Sequence, residues 1–259
     1  MKAGKVAENT NSPANYGNFR PSPGSPPGRL GAMAELHVLR VFCGAGGTAG
    51  NPLGVVLDGA AVPTAERQSA AARIGFSETV FVDDLTSGAV QIFTPAVEMP
   101  FAGHPLVGTA WLLDTQREAV SELNPPAGPV PARVEGDRAY VVGRPEWAPE
   151  FEWAELGSAA EVDALNGPPG DHDLIGAYAW LDEKTVRSRV FPRRLGIAED
   201  EATGAAAVRL GSILDRAFTI RQGRGSEIQV RPNGDGAIEI GGRVVLDEVR
   251  PYPSPGGSA

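Results

Sequence analysis

Short apolar runs, several of which alternate with polar residues, recur along the chain from residue 36 onward and predict a series of β-strands. The first two strands are expected at residues 36–42 and 54–57, with the turn-forming sequence Gly50-Asn51-Pro52 between them. Residues 77–83 and 89–93 flank a polar, glycine-containing connection, which predicts an antiparallel pair. The part of the chain from residue 36 onward is therefore expected to begin with β-strands that form a sheet.

Two further segments have the flanking residues that are typical of helices. Residues 64–74 lie between Pro63 and Gly75, and these residues favour a helix start and a helix end respectively. A second helix is predicted after Gly103-His104-Pro105, because proline is favoured at the first helical position. His104 would then be the N-cap residue of this helix.

The second half of the chain repeats this order. Strands are predicted at residues 175–181 and 186–191, and an acidic loop at 199–204 precedes a helix at 205–214. A hairpin is expected after each of the two similar helices. Similarity at a spacing of about 100 residues predicts a duplication that forms two lobes related by approximate symmetry.

The two ends of the chain lack apolar periodicity. Residues 1–32 are rich in proline, glycine, serine and asparagine, which predicts a disordered tail or an added leader. Residues 251–259 are predicted to be a loose C-terminal end. The folded part would then consist of an N-terminal lobe at 33–118 and a C-terminal lobe at 119–250.

Both of the similar helices begin with small residues, including Gly108 in the first and Gly204 in the second. A helix that strands surround on most sides needs such residues, because its backbone must approach the sheet closely. If the lobes are related by a two-fold axis, the helix starts can point into one cleft, where free amide groups would bind a carboxylate. Two ordinary buried helices are the alternative.

Composition and charge limit the classes of function. Hydrophobic residues make up 42% and charged residues 21% of the 259 residues, as in an ordinary globular protein. The net charge of -9 would repel a polyanion, so no nucleic-acid partner is expected. The longest apolar run, at 174–181, is far shorter than the ~20 residues that cross a bilayer, so no membrane partner is expected either.

Cys43 is the single cysteine of the chain. An intramolecular disulfide is therefore impossible, and the cytoplasm is the expected compartment. A racemase that uses two opposed thiols as acid and base is excluded for the same reason.

Glu78 is the main candidate for chemistry. Strand alternation places it on the same side as Val80 and Val82, the side that is expected to be buried. A desolvated carboxyl group there would have a pKa raised toward neutrality and could take and return a proton. The alternative is a glutamate at a strand start that points into water.

Other polar candidates also have simpler interpretations. The three histidines do not stand at metal-ligand spacing, so no metal is expected. Asp200 could be the N-cap or a first-turn acid of the helix that follows it. Residues 44–49 match the wording of a dinucleotide fingerprint, but the strand predicted at 54–57 leaves no room for the required helix, so no cofactor is expected there.

Taken in order, several segments resemble the PhzF family of phenazine biosynthesis, which shares its fold with diaminopimelate epimerase. Together they span about residues 36–246, nearly all of the part that is expected to fold. The resemblance implies an α+β fold with two pseudo-symmetric lobes, each a curved sheet or barrel around a central helix. The matching segments are Gly50-Asn51-Pro52-Leu53-Gly54-Val55-Val56, Ser77-Glu78-Thr79-Val80-Phe81, Ile92-Phe93-Thr94-Pro95, Ala102-Gly103-His104-Pro105-Leu106-Val107-Gly108, Glu199-Asp200-Glu201-Ala202-Thr203-Gly204-Ala205-Ala206 and Arg221-Gln222-Gly223.

The resemblance also implies a function. It indicates a cofactor-independent isomerase that moves a proton between carbons of a small carboxylate, of the dihydro-hydroxyanthranilate isomerase type. The family's general acid/base falls on Glu78, while His104 and Asp200 would orient the substrate and share protons. Neither a metal nor an organic cofactor is implied, and a homodimer is expected. The remaining substrate-binding positions would be Gly103, Thr203 and Gly204.

The chain departs from the family pattern in two ways. Ala205 stands where the family has a serine, so one substrate-facing hydroxyl is absent, and the chain is shortened between Trp111 and Ala177. Two alternatives stay open. One is an epimerase or racemase of an amino acid or hydroxy acid, and the other is a non-catalytic small-acid-binding protein of the same fold.

Overall fold

The computed structural model describes residues 34–252 except 117 and 119. The predicted tail at 1–32 and most of the predicted loose end lie outside these residues. The helices of the described part are α1 Thr64–Ile74, α2 Gly103–Thr115, α3 Ala159–Asp163 and α4 Gly204–Leu214. Its strands are β1 Glu35–Cys43, β2 Asn51–Val56, β3 Glu78–Asp84, β4 Ala89–Phe93, β5 Glu98–Met99, β6 Glu122–Leu123, β7 Val130–Glu135, β8 Arg138–Gly143, β9 Glu152–Glu155, β10 Ile175–Asp182, β11 Thr185–Phe191, β12 Phe218–Gln222, β13 Ser226–Pro232 and β14 Ile238–Pro251.

The strands form one continuous hydrogen-bonded network. Their order is β5-β4-β3-β2-β1-β14-β13-β12-β11-β10-β9, and β8, β7 and β6 branch from β14. The long strand β14 pairs antiparallel with β1, β8 and β13. It therefore joins the first half of the chain to the second.

Each half of the chain has the same order of elements. In the first half α1 connects the parallel strands β2 and β3, and in the second half α3 connects the parallel strands β9 and β10. Each of these pairs continues into an antiparallel partner, β4 or β11, then a buried helix, α2 or α4, and then a hairpin. This order confirms the predicted α+β fold of two pseudo-symmetric lobes. The position of the boundary between the lobes, near residue 118, stays a prediction.

Helix α2 lies against the strands of the first half so closely that glycine is required at one point of contact. A Cβ atom at Gly108 would lie 2.4 Å from Leu53 Cδ2 and 2.8 Å from Val41 Cγ2. Leu53 and Val41 are both fully buried. The small residue therefore lets the helix backbone approach β1 and β2, which is the packing that the sequence predicted.

The first turns of α2 and α4 meet backbone to backbone. A Cβ atom at Gly204 would lie 2.5 Å from the amide nitrogen of His104 and 2.9 Å from the carbonyl carbon of Gly103. In the other direction, a Cβ atom at Gly103 would lie 3.3 Å from Gly204 Cα. A side chain at Gly204 would overlap the backbone of α2, whereas one at Gly103 would overlap mainly the Ile240 side chain, so the contact depends above all on Gly204.

Two expectations about helix starts are wrong. The N-cap of α2 is Ala102, so His104 lies inside the first turn and is not the cap. Proline is tolerated throughout the first turn, where amide groups have no intrahelical acceptor, and Pro105 therefore does not mark the first helical residue. The N-cap of α4 is Thr203, so Asp200 is not the cap of that helix either.

Two segments that were expected to be irregular belong to the sheet. Strand β2 begins at Asn51 rather than at residue 54. Pro52 is tolerated in the strand because it pairs only with β1, and the pairing with β3 starts one residue later, at Leu53. At the other end, β14 includes Pro251, and Tyr252 is buried beside the ring of Phe81. The prediction of a loose end is therefore wrong for residues 251 and 252.

The contact between the helix starts makes a prediction about stability. Gly204→Ala should lower the free energy of unfolding by about 1–3 kcal/mol, because the new methyl group overlaps the backbone of α2. Urea denaturation measures this change. Gly167→Ala is the matched control, since a Cβ atom there meets nothing within 4 Å. Equal stability of the two variants would show that the helix starts have room to separate.

Candidate active site

Glu78 is the first residue of β3, and its carboxyl group faces the first turn of α2. Its side chain is only 16% exposed, so the alternative of a glutamate that points into water is wrong. Glu78 Oε2 lies 2.9 Å from His104 Nδ1. The strand start and the helix start thus hold one acid and one imidazole in direct contact.

His104 is buried, with 3% of its side chain exposed. An ionised carboxylate can only accept hydrogen bonds. Nδ1 of His104 therefore carries a hydrogen and donates a hydrogen bond to Glu78 Oε2. The other ring nitrogen, Nε2, is also buried and has no hydrogen-bond partner among the described residues. The imidazole therefore has one nitrogen fixed by Glu78 and one nitrogen free for another group.

Asp200 lies in the loop before α4 and is buried at 8% exposure. Its backbone N–H donates to the carbonyl of Val190 at the end of β11. Its carboxyl oxygens accept two hydrogen bonds: Oδ1 accepts from Asn51 Nδ2 at 2.8 Å, and Oδ2 accepts from the hydroxyl of Thr203 at 2.7 Å. Backbone and side chain are therefore both fixed.

Glu78, His104 and Asp200 line one narrow cleft. The first residues of α2 and α4, Gly103 and Gly204, lie at the same cleft. The first amide groups of a helix have no intrahelical acceptor, and the helix dipole adds positive potential there. The predicted shared cleft is therefore present. Its walls are largely apolar and are formed by Met99, Pro149, Phe151, Pro192, Leu195 and Ile197.

The two carboxyl groups of the cleft are shifted in opposite directions. Burial together with the negative charge of Glu78 raises the pKa of Asp200 to about 6, although the hydrogen bond from Thr203, the charge of His104 and the hydrogen bond from Asn51 act against this. Burial also acts to raise the pKa of Glu78, but the charge of His104 and its hydrogen bond outweigh burial, so this pKa is lowered. The expectation of a raised pKa at Glu78 is therefore wrong, because the sequence did not show that His104 is its partner.

All six residues that the sequence singled out come together at the cleft: Glu78, Gly103, His104, Asp200, Thr203 and Gly204. Sequence reasoning missed the polar residues behind them, above all Asn51 and Gln222, which contact Asp200 directly. Both are buried polar side chains at strand ends. Both also lie in segments that match the family, Gly50-Asn51-Pro52 and Arg221-Gln222-Gly223, and this was the sequence signal that could have drawn attention to them.

Two properties of the described residues bear on the kinds of partner. No group of three or more His, Cys, Asp or Glu side chains among them could hold a metal ion. Of the helices found in the same part of the chain, none has the length and apolar character needed to cross a membrane.

Comparison with known proteins gives a consistent result. The family described as PhzC-PhzF, phenazine biosynthesis-like protein, matches residues 41–180. A trans-2,3-dihydro-3-hydroxyanthranilate isomerase of Pseudomonas fluorescens is 30% identical over 221 residues, which cover 69% of this chain and 79% of that protein.

Solved structures show the same fold. A phenazine biosynthesis protein of the PhzF family from Enterococcus faecalis matches with a TM-score of 0.67 and 21% identity over 84% of this chain and 98% of that one. A structure described as a predicted epimerase from Pseudomonas aeruginosa matches with a TM-score of 0.68 and 23% identity over 86% of this chain and 100% of that one.

The raised pKa of Asp200 makes stability depend on pH. Folded Asp200 binds more protons than unfolded Asp200 between pH 3.8 and about 6, so stability is lost as the pH rises through this window. Asp200→Asn removes this loss. The free energy of unfolding of Asp200→Asn should therefore exceed that of the parent protein by little at pH 4 and by about 3 kcal/mol at pH 7.5.

Urea denaturation at several pH values measures this gain. Asp171→Asn, at an exposed position, is the control and should show no such growth. A gain for Asp200→Asn that is constant or shrinks with pH would contradict the raised pKa.

Proposed function

This chain belongs to the PhzC-PhzF family of phenazine biosynthesis-like proteins, and from that premise we propose a cofactor-independent isomerase that moves a proton between carbon atoms of a small carboxylate, of the trans-2,3-dihydro-3-hydroxyanthranilate isomerase type. That the chain is an isomerase follows from its named relatives. The observation that carries the finer proposal is the hydrogen-bonded pair of Glu78 and His104 at the cleft shared by two helix starts.

Substrate binding uses the helix starts. The amide groups at Gly103 and Gly204 bind the substrate carboxylate, because two positive helix ends meet there. The apolar walls hold the carbon skeleton and exclude water. The acid is thereby placed with its carbon–hydrogen bonds next to Glu78.

Proton transfer uses Glu78 as an ionised base. Its lowered pKa keeps the carboxylate ready to take a proton from one carbon, and the electron pair of that C–H bond moves into the conjugated double bonds of the substrate. The protonated Glu78 then returns the proton to a different carbon, so that one C–H bond breaks and another forms. His104 orients the carboxyl group of Glu78, and Asp200 faces the substrate from the second lobe, where its pKa of about 6 lets it exchange a proton with the substrate near neutral pH.

The two-fold relation of the lobes indicates which groups each lobe offers for proton transfer. A two-base racemase needs a proton-transferring group on each face of the substrate carbon. Gly103 and Gly204 begin the two central helices, so Ala205 occupies in α4 the place that His104 occupies in α2. A methyl group cannot transfer a proton, so Asp200, rather than a residue in the place of His104, is the titratable group that the described part of the second lobe offers at the cleft.

Replacement of Glu78 tests the proposed function. Glu78→Gln should lower kcat/KM for trans-2,3-dihydro-3-hydroxyanthranilate at least about 10³-fold, because the amide cannot accept the carbon-bound proton. Glu98→Gln is the matched control at an exposed carboxylate and should leave kcat/KM unchanged. Product formation is followed by absorbance and NMR. A wild-type rate for Glu78→Gln would remove the catalytic assignment.

The same assay in deuterated water separates the alternatives. Deuterium in recovered substrate of scrambled configuration would identify an epimerase or racemase. Binding of the acid without turnover by the unmodified protein would identify a non-catalytic binding protein.

The remaining expectations concern partners and location. The resemblance to the family supports a homodimer and a small carboxylate substrate. The net charge and the short apolar runs argue against a nucleic-acid or membrane partner, and the single cysteine favours a cytoplasmic location. Sedimentation velocity at micromolar concentration should give the mass of two chains, against 27.0 kDa for one. A single species of 27.0 kDa would contradict the dimer.

A further inference from the structure

Asn51 is a buried residue outside the cleft that contacts the loop carrying Asp200. It is the first residue of β2, and only 3% of it is exposed. Its side-chain amide donates two hydrogen bonds across the lobes, to Asp200 Oδ1 at 2.8 Å and to the carbonyl oxygen of Ala202 at 2.9 Å. One side chain of the first lobe therefore fixes both the carboxyl group and the backbone of a loop in the second.

The other end of the Asn51 amide contacts Ser77, the residue before Glu78. Its Oδ1 accepts a hydrogen bond from the hydroxyl of Ser77 at 3.2 Å, and Ser77 directly precedes Glu78. The hydroxyl of Ser77 also lies 3.3 Å from the carbonyl of Pro52, next to Asn51. Asn51 is thus bonded on one side to the strand start that carries Glu78 and on the other side to Asp200.

Gln222 holds the same loop from the second lobe. It ends β12 and is 1% exposed. Its side-chain nitrogen donates to the carbonyl oxygen of Asp200 and to the hydroxyl of Thr203, both at 2.9 Å, and its side-chain oxygen accepts from the amide of Thr203 at 3.3 Å. Gln222 thereby orients the hydroxyl of Thr203 so that its hydrogen points at Asp200 Oδ2.

We infer that Asn51 and Gln222 are positioning residues that hold Asp200 from opposite lobes and fix its carboxyl group relative to Glu78. If these two residues only supported the loop, hydrogen bonds to its backbone carbonyls would be enough. Here one amide bonds directly to the carboxylate, and the other aligns the hydroxyl that bonds to it. Their effect on catalysis rests on the proposed function, whereas their effect on Asp200 itself does not.

Asp200 has charged neighbours on two sides, and any measurement of its titration includes them. Glu78 and His104 face it from the cleft. A second cavity on the other side of the loop is lined, besides Asp200, by Asp163, Arg187, Arg189, Glu199, Glu201 and Arg224. Three close pairs, Arg187–Asp163, Arg189–Glu199 and Arg224–Glu201, join the arginines of this cavity to its acids. Substitution of Asn51 leaves all of these groups in place.

The test measures the titration of Asp200 in the full chain by carbon NMR with aspartate labelled at the carboxyl carbon. The Asp200 signal is identified by its loss in Asp200→Asn. Asn51→Ala should raise the titration midpoint by about one pH unit, because a donor to the ionised carboxylate is removed. Gln222→Ala should raise it by less, since Gln222 acts through Thr203.

Asn124→Ala is the matched control. The side-chain amide of Asn124 donates a hydrogen bond to the carbonyl of Ser87 in an exposed loop. Since this bond does not involve the Asp200 loop, Asn124→Ala should leave the titration midpoint of Asp200 unchanged. If Asn51→Ala does not fold, Asn51→Ser, whose hydroxyl is too short to reach Asp200, is measured in its place. An unchanged midpoint in a folded variant at position 51 would overturn the inference.

Kinetics then separate this inference from the proposed function. With trans-2,3-dihydro-3-hydroxyanthranilate as substrate, Asn51→Ala should lower kcat about 10- to 100-fold and change KM by less than about threefold, because a misplaced group costs rate more than binding. A midpoint shift without any turnover by the parent protein would reject the proposed function and keep the positioning role. Turnover by the parent protein together with an unshifted Asp200 midpoint in Asn51→Ala would keep the proposed function and reject the positioning role.

Discussion

The rest of the site depends on the contact between the first turns of two buried helices. Gly103 and Gly204 allow these turns to meet at backbone distance, and a side chain at Gly204 would overlap the backbone of α2. Two sets of unpaired amide groups and two positive dipole ends are thereby concentrated at one point between the lobes. Such a point attracts anions, so it explains both the substrate class that we propose and the presence of two carboxyl groups of the protein in the same small cleft.

Two buried carboxyl groups in one cleft cannot both be ionised without cost, and the structure gives them different surroundings. Glu78 has an imidazole 2.9 Å away, which favours its charged form. The side-chain donors in direct contact with the Asp200 carboxyl group, Asn51 and Thr203, are neutral, and burial together with the negative charge of Glu78 raises its pKa to about 6. Glu78 therefore stays ionised over a wider pH range, whereas Asp200 takes up a proton as the pH falls toward 6.

Much of this arrangement could be predicted from the sequence. Helix α1 at Thr64–Ile74, between a proline and a glycine, has the predicted bounds, and the repeated order of elements predicted the two lobes. Helix α3 and strand β9 were not predicted, because each is short and gains its stability from packing on β10 and β11 rather than from local propensity. The pKa of Glu78 was predicted in the wrong direction for a related reason. Its value depends on His104, and no local pattern shows that a strand start and a helix turn 26 residues apart will touch.

Duplication explains the shape of the cleft but not its chemistry, which arises where the two halves differ. The symmetric positions His104 and Ala205 carry an imidazole in one lobe and a methyl group in the other. The acid of the second lobe lies four residues before the first residue of its helix instead, where Asn51 and Gln222 reach it and no equivalent of His104 neutralises it. A symmetric cleft with identical groups on both sides would suit removal and return of a proton on opposite faces of one carbon. Here Glu78 is kept ionised by His104, whereas Asp200 has a pKa of about 6 and no imidazole in direct contact among the described residues, so the two lobes offer proton-transferring groups of different strength.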